Sequence, residues 1–147
     1  NGKEYSMKIR HNQAIQLLHC AMSHSQTKKL LQKTWRDENL QTGVHTTGFC
    51  YNATEALFHM INNDEYQPHV ASYIENGLKC THWWLQDKKG NKLDPTKSQY
   101  FPYQPPYHLG RRCGFLTGNK ISKRSKVLMD LAIKIYNENQ STRSSKG

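Results

Sequence analysis

The feature of the sequence that most constrains the fold is a run of three strand-like segments separated by two tight turns. Residues 69–75 (HVASYIE) and 78–86 (LKCTHWWLQ) are rich in β-branched, aromatic and other apolar side chains, and residues 92–96 (KLDPT) follow them. Asn76-Gly77 joins the first two segments, and a two-residue Asn-Gly connection is a strong signal for a β-hairpin. A looser turn of sequence KKGN precedes the third segment. The sequence therefore predicts a three-stranded antiparallel meander.

Helical patterns lie on both sides of this meander. Apolar side chains recur at helical spacing in residues 12–36, with a break near 23–25, then in residues 49–61 and again from Ser122 onward. Residues 37–48 and 97–120 are predicted to be irregular, and the polar composition of residues 139–147 predicts a disordered tail. The order helices, sheet, helix predicts one α+β domain over residues 1–138, with helices packed on a small antiparallel sheet.

The second hairpin of the meander brings a histidine and an aspartate together. In a register centred on Lys88, His82 lies opposite Asp94. Because side chains alternate along a strand, Trp83 and Leu85 then face the core, and His82 and Asp94 share the other face. A carboxylate beside an imidazole fixes its tautomer and stabilises the imidazolium, as a general base requires.

A cysteine lies at the start of a predicted helix. Gly48-Phe49-Cys50 opens the helical segment 49–61. The first turn of a helix favours a thiolate through the macrodipole, and its free N–H groups are able to bind an oxyanion. Gly48 would allow a substrate to approach this loop closely. In chain order, the sequence thus offers a cysteine on a helix, a histidine on a strand and an aspartate on the next strand.

This order resembles the transglutaminase-like branch of the papain-fold cysteine enzymes. The resemblance covers about residues 43–101 and is carried by Gly48-x-Cys50, His82-Trp83 and the strand Leu93-Asp94-Pro95-Thr96. It implies a papain-like, transglutaminase-like fold, with Cys50 as nucleophile, His82 as general base and acid, and Asp94 as the residue that orients the histidine. The implied activity is that of a cysteine hydrolase or acyltransferase that forms a thioester on a protein or small-molecule amide. Peptidase, deamidase, amidase and acyltransferase all remain open.

Two further roles follow from the resemblance. Papain-like proteases place a glutamine before the nucleophile as an oxyanion donor, and here either Gln99 or Gln41 is a candidate for that donor. Trp84 shares a strand face with His82 and is predicted to line the substrate pocket.

The charge of the chain supports a different hypothesis. There are 21 Lys and Arg against 11 Asp and Glu, for a formal net charge of +10, and many of the basic residues lie between Arg111 and Lys126. Such an excess attracts polyanions and acidic proteins. Ser122, Lys123 and Arg124 lie at a predicted helix start, where a phosphate is able to bind. The alternative function is therefore a non-catalytic module that binds nucleic acid, phosphate or an acidic protein.

The four cysteines form no Cys-x-x-Cys pair. This spacing argues against a disulfide scaffold and for reduced thiols in a cytoplasmic protein. A metal site built on Cys80-x-His82 is a weaker alternative, because structural zinc prefers more closely spaced cysteine pairs. We therefore expect no metal and no cofactor. The longest apolar run is too short to cross a bilayer, and the N-terminus has no apolar segment typical of a secretory signal, so no membrane partner is expected.

Overall fold

The computed structural model of the chain describes residues 9–146, with side chains described as far as residue 142. The N-terminal segment considered above for a secretory signal lies largely outside these residues. The first residue of the predicted domain 1–138 also lies outside them. The described elements are α1 (His11–Ser23), a 3₁₀ helix (Ser25–Leu30), α2 (Lys33–Thr42), α3 (Cys50–Ile61), β1 (Gln67–Glu75), β2 (Leu78–Gln86), β3 (Lys92–Leu93), two short 3₁₀ helices (Lys97–Tyr100 and Tyr107–Leu109), β4 (Gly110–Arg112) and α4 (Lys123–Lys146).

The strands form one antiparallel sheet in the order β3-β2-β1-β4, which confirms the predicted α+β class. The first hairpin turns at Asn76-Gly77, where both residues have positive φ (51° and 77°) and Glu75 pairs with Leu78. Two consecutive positive φ angles are the signature of a type I′ turn, whose twist matches that of the strands.

The register of the second hairpin differs from the prediction by one residue at its centre. Leu85 pairs with Leu93, so the hairpin is centred on Lys89 rather than on Lys88. The turn is longer than predicted because the carboxylate of Asp87 accepts hydrogen bonds from the N–H groups of Lys89 (3.0 Å) and Asn91 (2.8 Å). Moving the centre by one residue shifts each pair by two positions, and side chains two apart share a face. The predicted assignment of side chains to the two faces of the sheet is therefore correct, although the predicted register is wrong.

The core lies between the helices and one face of the sheet. Leu18 of α1, Leu57 of α3 and Leu128 of α4 are fully buried in the same cluster as Trp83 and Leu85 of β2. Each fully buried leucine contributes about 1.5–3 kcal/mol through removal of its apolar surface from water. The helices cover this face, and the segment that follows β3 covers the opposite face.

Three parts of the chain differ from the sequence prediction. Residues 37–42, predicted to be loop, continue α2, which ends where Gly43 adopts a left-handed φ of 72°. Residues 110–112, predicted to be irregular, form β4 at the edge of the sheet beside β1. Residues 139–146, for which the composition predicts disorder, continue α4. Among the described helices, none combines the length and the apolar content needed to cross a bilayer.

Candidate active site

Cys50 is the first residue of α3, and a buried asparagine fixes the loop that leads to it. The side chain of Asn39, on α2, donates to the carbonyl of His45 at 3.0 Å and to that of Thr47 at 2.9 Å. Gly48 then has a φ of 84°, a conformation that side chains rarely adopt. A Cβ atom at Gly48 would lie 2.8 Å from Cβ of Trp35. The predicted glycine is thus required by its own backbone and by the packing of α2.

His82 is fully buried on the face of β2 that points away from the helical core. Its Nε2 atom lies 2.7 Å from Oδ2 of Asp94, the contact that the sequence predicts between these two residues. The imidazole also stacks on Trp84, with ring centroids 5.7 Å apart, and meets the edge of Tyr100 at 4.8 Å. These contacts hold the ring in a single orientation.

Asp94 follows β3 directly and accepts three hydrogen bonds. Besides His82, the hydroxyl of Tyr107 donates to Oδ2 at 2.8 Å, and the N–H of Thr96 donates to Oδ1 at 3.1 Å. Burial and the adjacent Asp94 carboxylate both raise the pKa of Tyr107, so that this side chain stays a donor. A carboxylate held by several donors is well suited to orient and stabilise an imidazolium.

The thiol of Cys50 completes a chain of side chains through His82 to Asp94. α3 lies beside the part of β2 that has no partner on β3. There the Cys50 thiol donates to the carbonyl of Thr81 at 3.5 Å, and the Thr54 hydroxyl donates to the carbonyl of Trp83 at 3.1 Å. Burial by itself would lower the pKa of His82, but hydrogen bonds to Asp94 and Cys50, together with the charges of both, raise it to about 9. Because Nε2 faces Asp94, the Nδ1 atom is the nitrogen available to the thiol.

Gln99 links the histidine to the loop before Cys50. Its Oε1 accepts from the N–H of Gly48 at 3.4 Å, and its Nε2 lies 3.3 Å from Nδ1 of His82 and 3.1 Å from Oγ1 of Thr96. An amide that accepts from Gly48 through its oxygen presents its two N–H groups to the histidine and to the hydroxyl of Thr96. Gln41, the other candidate donor, is exposed on α2 and is not among the residues that line the cleft described below.

Cys50, Gly48 and Gln99 line an open cleft of about 930 Å³. Tyr73 and Tyr100 form part of its wall, where their hydroxyl groups are joined by a hydrogen bond of 2.7 Å. His82 lies behind this wall, so the thiol is the member of the Cys50, His82 and Asp94 chain that meets the open space.

Comparison of this chain with protein-family models, with curated proteins and with solved structures finds no match.

The structure corrects the predicted role of Trp84. This side chain does share a face with His82, but it is fully buried and does not line the cleft. Its indole N–H donates to the side chain of Gln86 at 3.0 Å, and its ring lies so close to Gly110 that a Cβ there would clash at 2.4 Å. Trp84 supports the histidine from behind and does not contact the cleft.

The hydroxyl and N–H of Ser122, predicted to bind a phosphate, are occupied by the buried side chain of Glu55. The hydroxyl and the N–H of Ser122 donate to Oε1 of Glu55, on α3, at 2.6 Å and 3.3 Å. Glu55 is fully buried, and its other oxygen accepts from Thr117 at 3.3 Å. These contacts do not support a phosphate site on Ser122, because both donors of Ser122 are already paired with the side chain of Glu55. Lys123 and Arg124 are exposed and line the cleft.

Sequence reasoning missed Tyr107 and the aromatic wall formed by Tyr73 and Tyr100. The tyrosines at 100 and 107 lie in a segment rich in proline and tyrosine that has neither helical nor strand periodicity, so the only available signal was its composition. Cys80 and His82, considered above as metal ligands, do not form part of a metal cluster: within residues 9–146, no group of three or more His, Cys, Asp or Glu side chains is arranged to hold a metal ion.

Proposed function

We propose that this protein is a cysteine-dependent hydrolase or acyltransferase that acts on an amide or related acyl group through a thioester intermediate. The observation that carries the proposal is the buried His82, whose imidazole lies 2.7 Å from the Asp94 carboxylate and next to Cys50, whose thiol contacts the carbonyl of Thr81 at 3.5 Å and lines an open cleft. A nucleophile, a base and an orienting carboxylate in this connection form the unit that activates a thiol.

In the first half of the reaction, the Cys50 thiolate attacks the carbonyl carbon and a C–S bond forms. The proton of the thiol resides on Nδ1 of His82, where the Asp94 carboxylate stabilises the imidazolium. The carbonyl oxygen becomes an oxyanion, for which the candidate donors are the first N–H groups of α3 and the Gln99 N–H that His82 releases when Nδ1 carries the proton. When the intermediate collapses, the C–N bond breaks and His82 gives its proton to the leaving amine.

In the second half, an acceptor resolves the thioester. Water or an amine attacks the thioester carbonyl while His82 removes the proton of the acceptor. The C–S bond then breaks and the thiol is regenerated with the proton from His82. Water as acceptor makes the enzyme a peptidase, amidase or deamidase, and an amine as acceptor makes it an acyltransferase.

The proposal includes a papain-like, transglutaminase-like arrangement of the fold. Three observations support it: the cysteine opens a helix that packs on an antiparallel sheet, the histidine lies on a strand of that sheet, and the aspartate follows the neighbouring strand. All four cysteines are free thiols, which is compatible with action in a reducing compartment such as the cytoplasm.

Brief alkylation with iodoacetamide at pH 6, followed by mass spectrometry, tests the proposal. Exposure alone predicts that Cys20 reacts first, because Cys20 is exposed whereas Cys50 is only half-exposed and Cys80 is buried. A thiol activated by His82 reverses this order, since the thiolate is the reacting form. We therefore expect Cys50 to be labelled at least tenfold faster than the same residue in His82→Ala, an estimate based on the range of thiolate activation by paired histidines.

Hydrolysis of p-nitrophenyl acetate supplies the second measurement, because this activated ester acylates reactive thiols without needing a specific substrate. Cys50→Ala and His82→Ala are expected to abolish turnover, whereas Cys20→Ser keeps it. If Cys20 is labelled first and Cys50 reacts equally fast with and without His82, the cysteine is not activated and the proposed function is wrong.

A further inference from the structure

The cleft at Cys50 has an apolar rim. Phe101, Tyr103 and Leu116 line it, and their side chains are 85%, 79% and 81% exposed. Large apolar side chains grouped around one opening mark a surface that a partner covers. Leu116 is held in place because its N–H donates to the hydroxyl of Tyr51 at 2.8 Å, and Tyr51 directly follows the candidate nucleophile.

One part of this cleft is positively charged. Lys123 and Arg124, in the first turn of α4, line it, and within the described residues neither has an ion-pair partner. The turn is tied to the helix of the nucleophile, since the Ser125 hydroxyl donates to the side chain of Asn52 at 3.1 Å. The two cations therefore stand close to the candidate reaction centre.

Two carboxylates and one ammonium line another part of the cleft. Glu38, Glu75 and Lys79 line the cleft there. Burial raises the pKa of Cys80, and the charges of Glu75 and Glu38 raise it further, so both carboxylates lie near this thiol. An anionic group in the cleft is thus repelled by Glu38 and Glu75 and attracted to Lys123 and Arg124.

We propose that the cleft takes an extended polypeptide segment that presents apolar side chains to Phe101, Tyr103 and Leu116 and an acidic side chain to Lys123 and Arg124. This inference rests on the proposed function, because the segment is the acyl donor whose amide meets Cys50.

A polypeptide fits these features better than a nucleic acid does. A phosphate backbone that followed the cleft would meet the carboxylates of Glu38 and Glu75. At the start of α4, Ser122 offers it no free donors, because Glu55 occupies them. A single carboxylate needs only the side chains of Lys123 and Arg124.

Matched peptide probes test the inference. Each carries a chloroacetamide at the position of the reacting amide, flanked by leucine and phenylalanine, with either aspartate or its neutral isostere asparagine two residues away. The aspartate is placed on the N-terminal side in one pair and on the C-terminal side in the other. For one placement we expect the aspartate peptide to alkylate Cys50 about tenfold faster at low salt, since each of two exposed ion pairs is worth up to about fivefold. High salt should reduce this ratio.

Charge reversal identifies the residues responsible. Lys123→Glu with Arg124→Glu should bring the aspartate-to-asparagine ratio below one. Lys88→Glu with Lys89→Glu makes the same change of charge on the exposed β2–β3 turn, outside this cleft, and should leave the ratio unchanged. Phe101→Ser should slow alkylation by both peptides and leave iodoacetamide labelling unchanged, because iodoacetamide is too small to contact the rim.

The outcomes separate this inference from the proposed function. Equal rates for aspartate and asparagine in both placements would refute the acidic preference, even where iodoacetamide still labels Cys50 first. Protection of Cys50 by a thymidine oligonucleotide at lower concentration than by the acidic peptide would assign the cleft to nucleic acid instead. Loss of selective iodoacetamide labelling would contradict the proposed function itself.

Discussion

At the scale of single residues, Gln99 contacts two parts of the candidate site that come from separate segments of the chain: the loop before Cys50 and the ring of His82. It accepts from Gly48 in the loop before Cys50 and approaches Nδ1 of His82, which is also the nitrogen available to the thiol. An N–H group directed at Nδ1 favours the neutral imidazole, whereas the thiolate favours the imidazolium. In the proposed mechanism, formation of the ion pair therefore frees the Gln99 amide from the histidine, and the freed N–H is then available to the oxyanion of the tetrahedral intermediate.

Gln99→Ala is expected to slow ester turnover without slowing alkylation of the thiol. Loss of one oxyanion donor lowers turnover by about 10²–10³-fold in enzymes of this chemistry. Alkylation by iodoacetamide forms no oxyanion, so its rate should stay within about threefold of the wild-type rate, the change expected from loss of one weak hydrogen bond. Gln41→Ala, on the exposed face of α2, is the matched control and should change neither rate. Equal losses in both assays would mean that Gln99 only positions His82.

At the scale of elements, the hairpin of β2 and β3 shows how much the sequence determines. The alternation of side chains placed His82 and Asp94 on one face, and this holds although the predicted centre at Lys88 is wrong. Whether two side chains share a face of the sheet depends only on whether their positions differ by an even number. The register of the strands depends in addition on turn hydrogen bonds such as those of Asp87.

The rest of the site was less accessible from the sequence. The helix that carries Cys50 followed from local pattern: apolar spacing predicts it over residues 49–61, and α3 begins one residue later, at Cys50. The donor from Tyr107 to Asp94 and the strand at 110–112 depend on contacts between segments far apart in the chain. Neither leaves a periodic signal in its own segment, so only the folded structure reveals them.

The loop that presents Cys50 offers a prediction about this element. Gly48→Ala places a Cβ 2.8 Å from Trp35 at a φ of 84°, so both strain and clash oppose it. Gly43→Ala has the same kind of backbone strain, with a φ of 72°, but no atom within 4 Å of the new Cβ. We expect Gly43→Ala to cost about 1 kcal/mol and Gly48→Ala about 2–4 kcal/mol of the free energy of unfolding, from urea titrations. Equal losses would show that the packing against Trp35 is easily relieved.

At the scale of the whole molecule, the buried site makes stability depend on pH. The pKa of His82 is raised to about 9 in the folded protein, against about 6.5 in an unfolded chain. A raised pKa means that the folded state binds the proton more tightly. Its contribution to stability is therefore complete below pH 6.5 and is lost as the pH rises toward 9. A difference of this size corresponds to at most about 3 kcal/mol.

Asp94→Asn should remove most of this pH dependence. Burial opposes a proton on His82, and the hydrogen bond and the charge of Asp94 raise the pKa of the imidazole against that effect. Urea unfolding at pH 6, 7.5 and 9 measures it: the free energy of unfolding should fall by up to about 3 kcal/mol across this range in the parent and much less in the variant. Burial lowers the pKa of Lys28, which acts in the opposite direction, but that residue is unchanged in both proteins and cancels in their difference. Cys50→Ala should give an intermediate slope, since it removes the thiol and leaves the carboxylate. Parallel slopes for the parent and Asp94→Asn would mean that His82 stays neutral in the folded protein, and the imidazolium required for an activated thiol would then not form at rest.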